Sequence, residues 1–299
     1  MQAGEDDMAT IALGELRIDR VEEFCGAFVG ARDFLADVPD EALARDPAWL
    51  ARHGMDLASG NLITSIHTWI VRTRHHNILI DTCYGNHKDR GEGHLGTNLA
   101  TDWLDRLAAQ GLRPEDIHFV MCTHLHSDHV GWNTRLLDGR WVPTFPNARY
   151  IFARKEYEHW HPAMGAATFY GEGPAFIDSV LPCVEAGLAT LVEDGYTVDA
   201  QLTVEAAPGH TPGTCVIRAQ SGGMGGLFVG DCMHSPLQVA YPDVNSFACE
   251  DAAQARATRR RLLGDCAEHG HLLLPAHFPP PFAGHVQAAG DAFEYLPLG

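Results

Sequence analysis

Residues 123–133, Thr-His-Leu-His-Ser-Asp-His-Val-Gly-Trp-Asn, decide how the rest of the chain is read. Four ligand-type side chains, His124, His126, Asp128 and His129, fall within six positions beside a glycine. Imidazole and carboxylate together suit zinc, manganese or iron, and a tight loop can aim alternate residues at two adjacent ions. A lone H-x-H arises often by chance, whereas four ligands in six positions do not. Just upstream, residues 117–122 (IHFVMC) read as a short apolar strand. The cluster therefore lies beyond a strand's carboxyl end, where layered α/β folds commonly hold reactive groups.

Working upstream, residues 61–81 (NLITSIHTWIVRTRHHNILID) read as a β-hairpin with a polar turn at 74–77 and Asp81 at its end. A glycine-containing loop then leads to a helix at 101–112 that Gly111 stops. Downstream come a strand at 148–153 and a short helix at 155–160. A strand at 202–206 closes on Pro-Gly-His210-Thr-Pro-Gly, and strands follow at 214–219 and 226–229, the latter ending in Gly230-Asp231. Residues 251–269 form the clearest helix, with Ala255, Leu262, Leu263 and Cys266 on one side and Arg256, Arg259 and Arg260 left for solvent. The run Arg259-Arg260-Arg261 reads as a solvated face. A brief strand at 272–274 runs into Pro275-Ala276-His277.

Strand-rich and helical stretches interleave twice, which predicts one domain of two sheets covered by helices. Residues 1–60 show no strong strand pattern, yet Phe24, Phe28, Phe34 and Trp49 are too apolar for a disordered tail. This segment is expected to pack over the domain formed by residues 61–299, with the site among the places within its reach.

Composition narrows the function classes. Of 299 residues, 45% are hydrophobic and 20% charged, and no apolar run is long enough to cross a bilayer, so no membrane partner is expected. The acidic start MQAGEDDMAT lacks the basic-then-apolar order of a secretory signal and points to the cytoplasm. Eight singly placed cysteines without a C-x-x-C pair read as reduced, mostly buried hydrophobes. A net charge of −18 repels polyanions and argues against nucleic acid as a partner.

The order of the ligand-type residues, H-x-H-x-D-H, then His210, Asp231 and His277, resembles that of the metallo-β-lactamase superfamily over residues 61–285. The resemblance implies an α/β fold, a four-layer αβ/βα sandwich. It also implies two divalent metal ions, zinc first, with manganese, iron or cobalt as alternatives. His124, His126 and His210 would hold one ion, Asp128, His129 and His277 the other, and Asp231 would bridge them. A hydroxide shared by the ions would be the nucleophile, with Asp128 orienting it or passing a proton to the leaving group. Asp81 matches an aspartate that supports the metal loop without coordinating, although capping a turn explains it equally well. Cys232, next to Asp231, points to the opposite side of an extended segment and is expected to be a packing residue.

Within that superfamily, the phrases THLHSDHVGWN, AAPGHTPGT, FVGDCMHSPLQ and PAHFPPPFAGHV resemble the small-molecule branch containing N-acyl homoserine lactonases and methyl parathion hydrolases. The lactonases usually place a tyrosine three residues past the bridging aspartate. Here that position is His234, more like organophosphate and aryl-ester hydrolases, where it would either donate to substrate or brace the metal surroundings. Candidate pocket walls are Phe24, Phe28, Trp132, Phe169, Tyr170 and Phe278, each with ordinary core as the competing reading. The expectation is a dinuclear metal-dependent hydrolase of a small hydrophobic ester or lactone. A phosphotriester hydrolase is the near alternative, and a nuclease of the same fold the distant one. Homodimers are common among such relatives.

Overall fold

The computed structural model describes residues 10–161 and 173–299; Phe169 and Tyr170 lie outside the described residues. Among those described, sixteen strands form two seven-stranded sheets and a separate hairpin. The first sheet begins with β1 (Ile11–Leu13), β2 (Leu16–Gly30), β3 (Asn61–Arg72), β4 (Asn77–Ile80) and β5 (Phe119–Met121). After the hairpin of β6 (Thr134–Leu137) and β7 (Arg140–Pro143), the chain completes that sheet with β8 (Arg149–Ala153) and β9 (Ala189–Val192). The second sheet runs in chain order through β10 (Thr197–Val198), β11 (Leu202–Ala206), β12 (Cys215–Ser221), β13 (Met224–Gly230), β14 (Leu272–Pro275), β15 (Gly284–Ala289) and β16 (Ala292–Pro297).

The hairpin read at 61–81 is β3 and β4, antiparallel, with Trp69 opposite Ile80. Alternation along β3 sends its side chains into two different layers. Ile66 and Ile70 pack with Trp103 and Leu107 of the Trp103–Ala109 helix on the outer face. Trp69 and Val71 face the second sheet and meet Ile217, Phe228 and Leu274. The outer face of the second sheet, Val216, Leu227 and Val229, is covered by Leu262, Leu263 and Cys266 of the Ala252–His269 helix. The resulting order is helix, sheet, sheet, helix.

Two readings of the sequence are corrected here. The region before residue 60 contains β2, fifteen residues long and paired along most of its length with β3. Its period is broken by register shifts between Glu22 and Phe24 and between Ala27 and Val29, which hid the strand pattern. The second correction concerns Arg259, which is fully buried. Ala255, Arg259, Leu262 and Cys266 follow one helical stripe, so Arg259 lies on the core face. Its guanidinium donates to the carbonyls of Cys232 (2.8 Å), Pro242 (2.8 Å) and Val244 (2.7 Å), pinning the segment after Asp231.

From residue 31 onward the N-terminal region turns into short helices. Asp46 caps the Pro47–Arg52 helix by accepting from the Trp49 amide at 3.0 Å, with Pro47 in the first turn. Leu35, Trp49 and Met55 pack with Leu237 and Val244, so this region lies against the chain that follows Asp231. No helix among the described residues is long and apolar enough to cross a membrane.

Candidate metal centre

Every ligand-type residue read from the sequence stands just past a strand. β5 leads into His124, His126, Asp128 and His129, β11 into His210, β13 into Asp231 and β14 into His277. The structure brings all seven together in two groups, His124, His126, His210 with Asp231, and Asp128, His129 with His277. Within each group the ligand atoms lie within 4.8 Å of one another. Six of the seven side chains are buried, and Asp128 is the one that keeps some exposure.

Asp231 faces both groups with different oxygens. Its Oδ2 is 3.2 Å from His210 Nε2 and 3.6 Å from His124 Nε2. Its Oδ1 is 2.8 Å from His277 Nε2 and 3.0 Å from His129 Nε2. The imidazoles also point ring nitrogens at one another: His210 Nε2 and His126 Nδ1 are 3.0 Å apart, His277 Nε2 and His129 Nε2 3.2 Å. Asp128 Oδ2 is 3.5 Å from His277 Nε2 and completes the second group.

The outer nitrogens show why metal ions fit. His129 donates from Nδ1 to Asp81 Oδ2 at 2.8 Å, and His277 from Nδ1 to the Ser65 carbonyl at 3.0 Å. Thr123 Oγ1 donates to Asp81 Oδ2 at 2.8 Å, which leaves its lone pair for His124 Nδ1 at 3.2 Å. With the outer proton so placed, a neutral imidazole presents an inner lone pair toward a carboxylate, an arrangement that only a cation makes favourable. His124 Nε2 is buried without any hydrogen-bond partner, as a coordinating nitrogen would be. The local field has the same sign. Burial works to lower the pKa of His210, yet Asp231 carries it up to about 10; at His129 and His277 burial is likewise outweighed, by Asp231 together with Asp128 and, at His129, Asp81. Burial and the neighbouring histidines hold His124 and His126 well below the ordinary value.

Asp81 is the scaffold of the metal loop in this geometry. It has φ of 56°, a left-handed conformation that Asp tolerates better than most residues. Its Oδ1 accepts from the Thr123 amide at 2.8 Å while Oδ2 holds His129. The next residues pair with the far end of the loop: Thr82 N donates to the His129 carbonyl at 2.7 Å and Gly131 N to the Cys83 carbonyl at 2.7 Å. A Cβ on Gly131 would lie 1.7 Å from the Tyr84 carbonyl oxygen, so this close approach requires glycine.

His234 has its Nε2 3.0 Å from Asp231 Oδ2, and its ring stacks on His277 at 5.7 Å and 4°. Burial pushes its pKa down to about 4, so the ring is neutral and its single proton goes to Asp231. The remaining Nδ1 is buried and unpartnered. The structure thus sets His234 against Asp231, where a residue bracing that carboxylate would stand. Phe34 of the N-terminal region sets its edge against the His234 ring at 5.0 Å and against Phe247 at 5.3 Å.

The expected aromatic walls divide. Trp132 is a core residue, stacked on Trp103 at 5.3 Å with its indole donating to Glu23 at 2.8 Å. Phe278 is fully buried against Tyr295. Both are buried in the core, Trp132 with Trp103 and Phe145, Phe278 with Val229 and Tyr295. Phe24 is half-buried and stacks on Tyr84, whose ring meets His94; Phe28 is exposed and packs edge-on against Phe24. Cys232 is buried among Val229, Met233 and Leu262, the packing residue expected.

Two buried carboxylates that the sequence reading missed hold the loops together. Glu156 accepts from the Leu125 amide (3.1 Å), Trp160 Nε1 (2.7 Å), Thr211 Oγ1 (2.6 Å) and the Gly213 amide (3.1 Å). It thereby ties the His124–His126 loop to the His210 loop, and burial raises its pKa. Glu23, the extra residue at the first register shift in β2, accepts from the amides of Tyr84 (2.9 Å) and Gly85 (3.2 Å) as well as from Trp132. Burial pushes it up to about 7. A single glutamate in a polar stretch carries no sequence signal of burial, since its partners lie far along the chain.

Comparison with known proteins decides the family, because residues 63–277 match the model of the metallo-beta-lactamase superfamily. The chain belongs to the metallo-β-lactamase superfamily. Its four layers are the metallo-β-lactamase fold, as the sequence implied. Among solved structures of that fold, hydrolase AbOPH of the beta lactamase superfamily is similar at a TM-score of 0.80 and 24% identity, covering 97% of each chain. AidC, a dizinc quorum-quenching lactonase in complex with a product, is similar at 0.77 and 21%, covering 98% of this chain and 99% of that one. In sequence, N-acyl homoserine lactonase AttM of Agrobacterium fabrum (strain C58 / ATCC 33970) is 34% identical over 113 residues, 37% of this chain and 38% of the relative. AttM of Azorhizobium caulinodans is 35% identical over 111 residues. The matched stretch thus spans well under half the length of these lactonases.

Proposed function

We propose that this metallo-β-lactamase-fold protein is a dinuclear metal-dependent hydrolase of small hydrophobic lactones or esters. The observation that carries this reading is Asp231, whose two oxygens each face a separate group of imidazoles at 2.8–3.6 Å. His124, His126 and His210 would hold one ion, Asp128, His129 and His277 the other, and Asp231 both. Two divalent ions held there, zinc by the softness of an imidazole-rich set, would supply Lewis acidity to acidify water and polarise a carbonyl.

The protein's own residues set the rest. Asp81, Ser65 and Thr123 fix the tautomers of His129, His277 and His124, so each presents an inner lone pair. His234 holds the Asp231 carboxylate in place and has no proton left for an oxyanion. Asp128, the least buried of the seven, is the carboxylate positioned to take a proton from water and return it to a leaving group. Phe34 and Phe247 offer apolar surface beside His234 for the body of a substrate. Partial identity to N-acyl homoserine lactonases supports a lactone. Eight cysteines without a disulfide support a reducing, cytoplasmic setting, and the charge of −18 supports a small-molecule substrate over nucleic acid.

Initial rates on an acyl homoserine lactone, an aryl ester and a phosphotriester test the reading. Turnover of the lactone or ester at least tenfold above that of the phosphotriester is expected. Preference for the phosphotriester would move the assignment to phosphorus, and no turnover of any of them by metal-replete protein would end it.

A further inference from the structure

Away from the metal centre, the Pro47–Arg52 helix, the end of the Leu237–Ala240 turn and strand β16 enclose a cleft of about 430 Å3. Cavities of about 300–1,000 Å3 are the usual size for a small ligand. Its walls carry four aromatic rings, Trp49, Tyr241, Phe293 and Tyr295, and two guanidiniums, Arg45 and Arg52. Trp49 and Tyr241 meet edge-to-face at 6.1 Å, and His53 stacks beneath Trp49 at 3.7 Å, which fixes the indole plane.

The cleft carries unpaired positive charge on an acidic chain. With 39 Asp and Glu against 21 Lys and Arg, arginines find carboxylates readily, as Arg72, Arg90, Arg218 and Arg260 do. Arg45 and Arg52 make no ion pair or hydrogen bond among the described residues; Arg45 lies over the Trp49 ring at 4.6 Å. Glu294 also lines the cleft but pairs with neither, so the lining keeps an excess positive charge. Tyr295, 7% exposed, has a hydroxyl buried without a hydrogen-bond partner.

We propose that this cleft is a second binding site, separate from the metal centre, for a small amphipathic carboxylate. Arg45 and Arg52 take the carboxylate, an assignment that suits the planar guanidinium fork. The aromatic rings take an aryl or acyl body. The site uses none of the metal-centre residues and stands independently of the hydrolase reading.

Calorimetric titration of the metal-replete protein with 2-naphthoate tests the site, with neutral 2-naphthol as the control. One saturable site is expected, bound at least tenfold more tightly as naphthoate than as naphthol. The double variant Arg45→Gln/Arg52→Gln, both positions exposed, should keep the wild-type melting temperature and bind naphthoate at least tenfold more weakly. Unchanged affinity in the double variant would place the carboxylate on the metals and overturn the proposal. So would the absence of saturable binding, equal affinity for naphthol, or sedimentation showing that this face is closed by a second copy of the chain.

Discussion

The two halves of the metal centre are held by different means. In the second group, the outer nitrogens of His129 and His277 meet a carboxylate at 2.8 Å and a backbone carbonyl at 3.0 Å. In the first, His124 Nδ1 meets the Thr123 hydroxyl at 3.2 Å, His210 Nδ1 has the Cys249 thiol at 3.8 Å, and Glu156 fixes the loop after His210 through the Thr211 hydroxyl and the Gly213 amide. The second half-site is thus anchored on its rings by a carboxylate and a carbonyl, the first by longer hydroxyl and thiol contacts and by its loops. A ring-anchored ligand loses orientation when its partner goes; a loop-anchored one loses it only when the loop moves.

Removing Asp81 should break this contrast most strongly. Asp81→Ala is expected to weaken metal binding by about 10–100-fold, as loss of a ligand's outer partner does, with a larger loss at the ion of His129, which Asp81 holds directly, than at that of His124, which it reaches through Thr123, in competition with a chelator. Equal loss of both ions would show that the halves are not separately anchored. Glu156→Gln keeps the shape but sets an amide NH2 among N–H donors. It should cost about 2–3 kcal/mol of unfolding free energy in denaturant titrations and loosen the first ion more than the second. A variant as stable as wild type would remove Glu156 from the account.

Glu23 sharpens the comparison through pH, because it joins the Tyr84–Gly85 turn to Trp132 behind the second half-site. Burial raises its folded pKa to about 7, from the 4.5 of a free glutamate. A raised carboxyl contributes stability that is fully present below the unfolded pKa and is lost as pH rises through the folded one. Wild type should therefore lose stability relative to Glu23→Gln between about pH 4.5 and 7, by at most about 1.4 kcal/mol per pH unit. Parallel pH profiles for the two proteins would contradict the assignment. The smallest effect is expected at Cys249. Cys249→Ser should change metal affinity by less than about threefold, since a thiol contact at 3.8 Å is weak. A tenfold loss would mean that the thiol anchors His210 as firmly as Asp81 anchors His129.

What was legible in the sequence follows the distance over which each feature is encoded. The ligands are local: each ends an apolar strand, so His124, His126, Asp128, His129, His210, Asp231 and His277 could be named before any fold was known. Asp81 was visible for the same reason, at the end of Ile-Leu-Ile. Glu23, Glu156 and Phe34 owe their roles to partners tens of residues away, and nothing beside them in the chain marks that. β2 was hidden by its bulges, and Arg259 by its charge, although its helical stripe was there to be read. Trp132 and Phe278 look like walls in a motif, but burial of an aromatic ring is decided by what packs on its other face.

Metal content per chain, measured by elemental analysis after reconstitution and removal of loosely bound ions, tests the central claim most directly. The account predicts two transition-metal ions in wild type and loss of both in Asp231→Asn, because that carboxylate faces both groups of ligands. One ion in wild type, or two ions retained by Asp231→Asn, would contradict it.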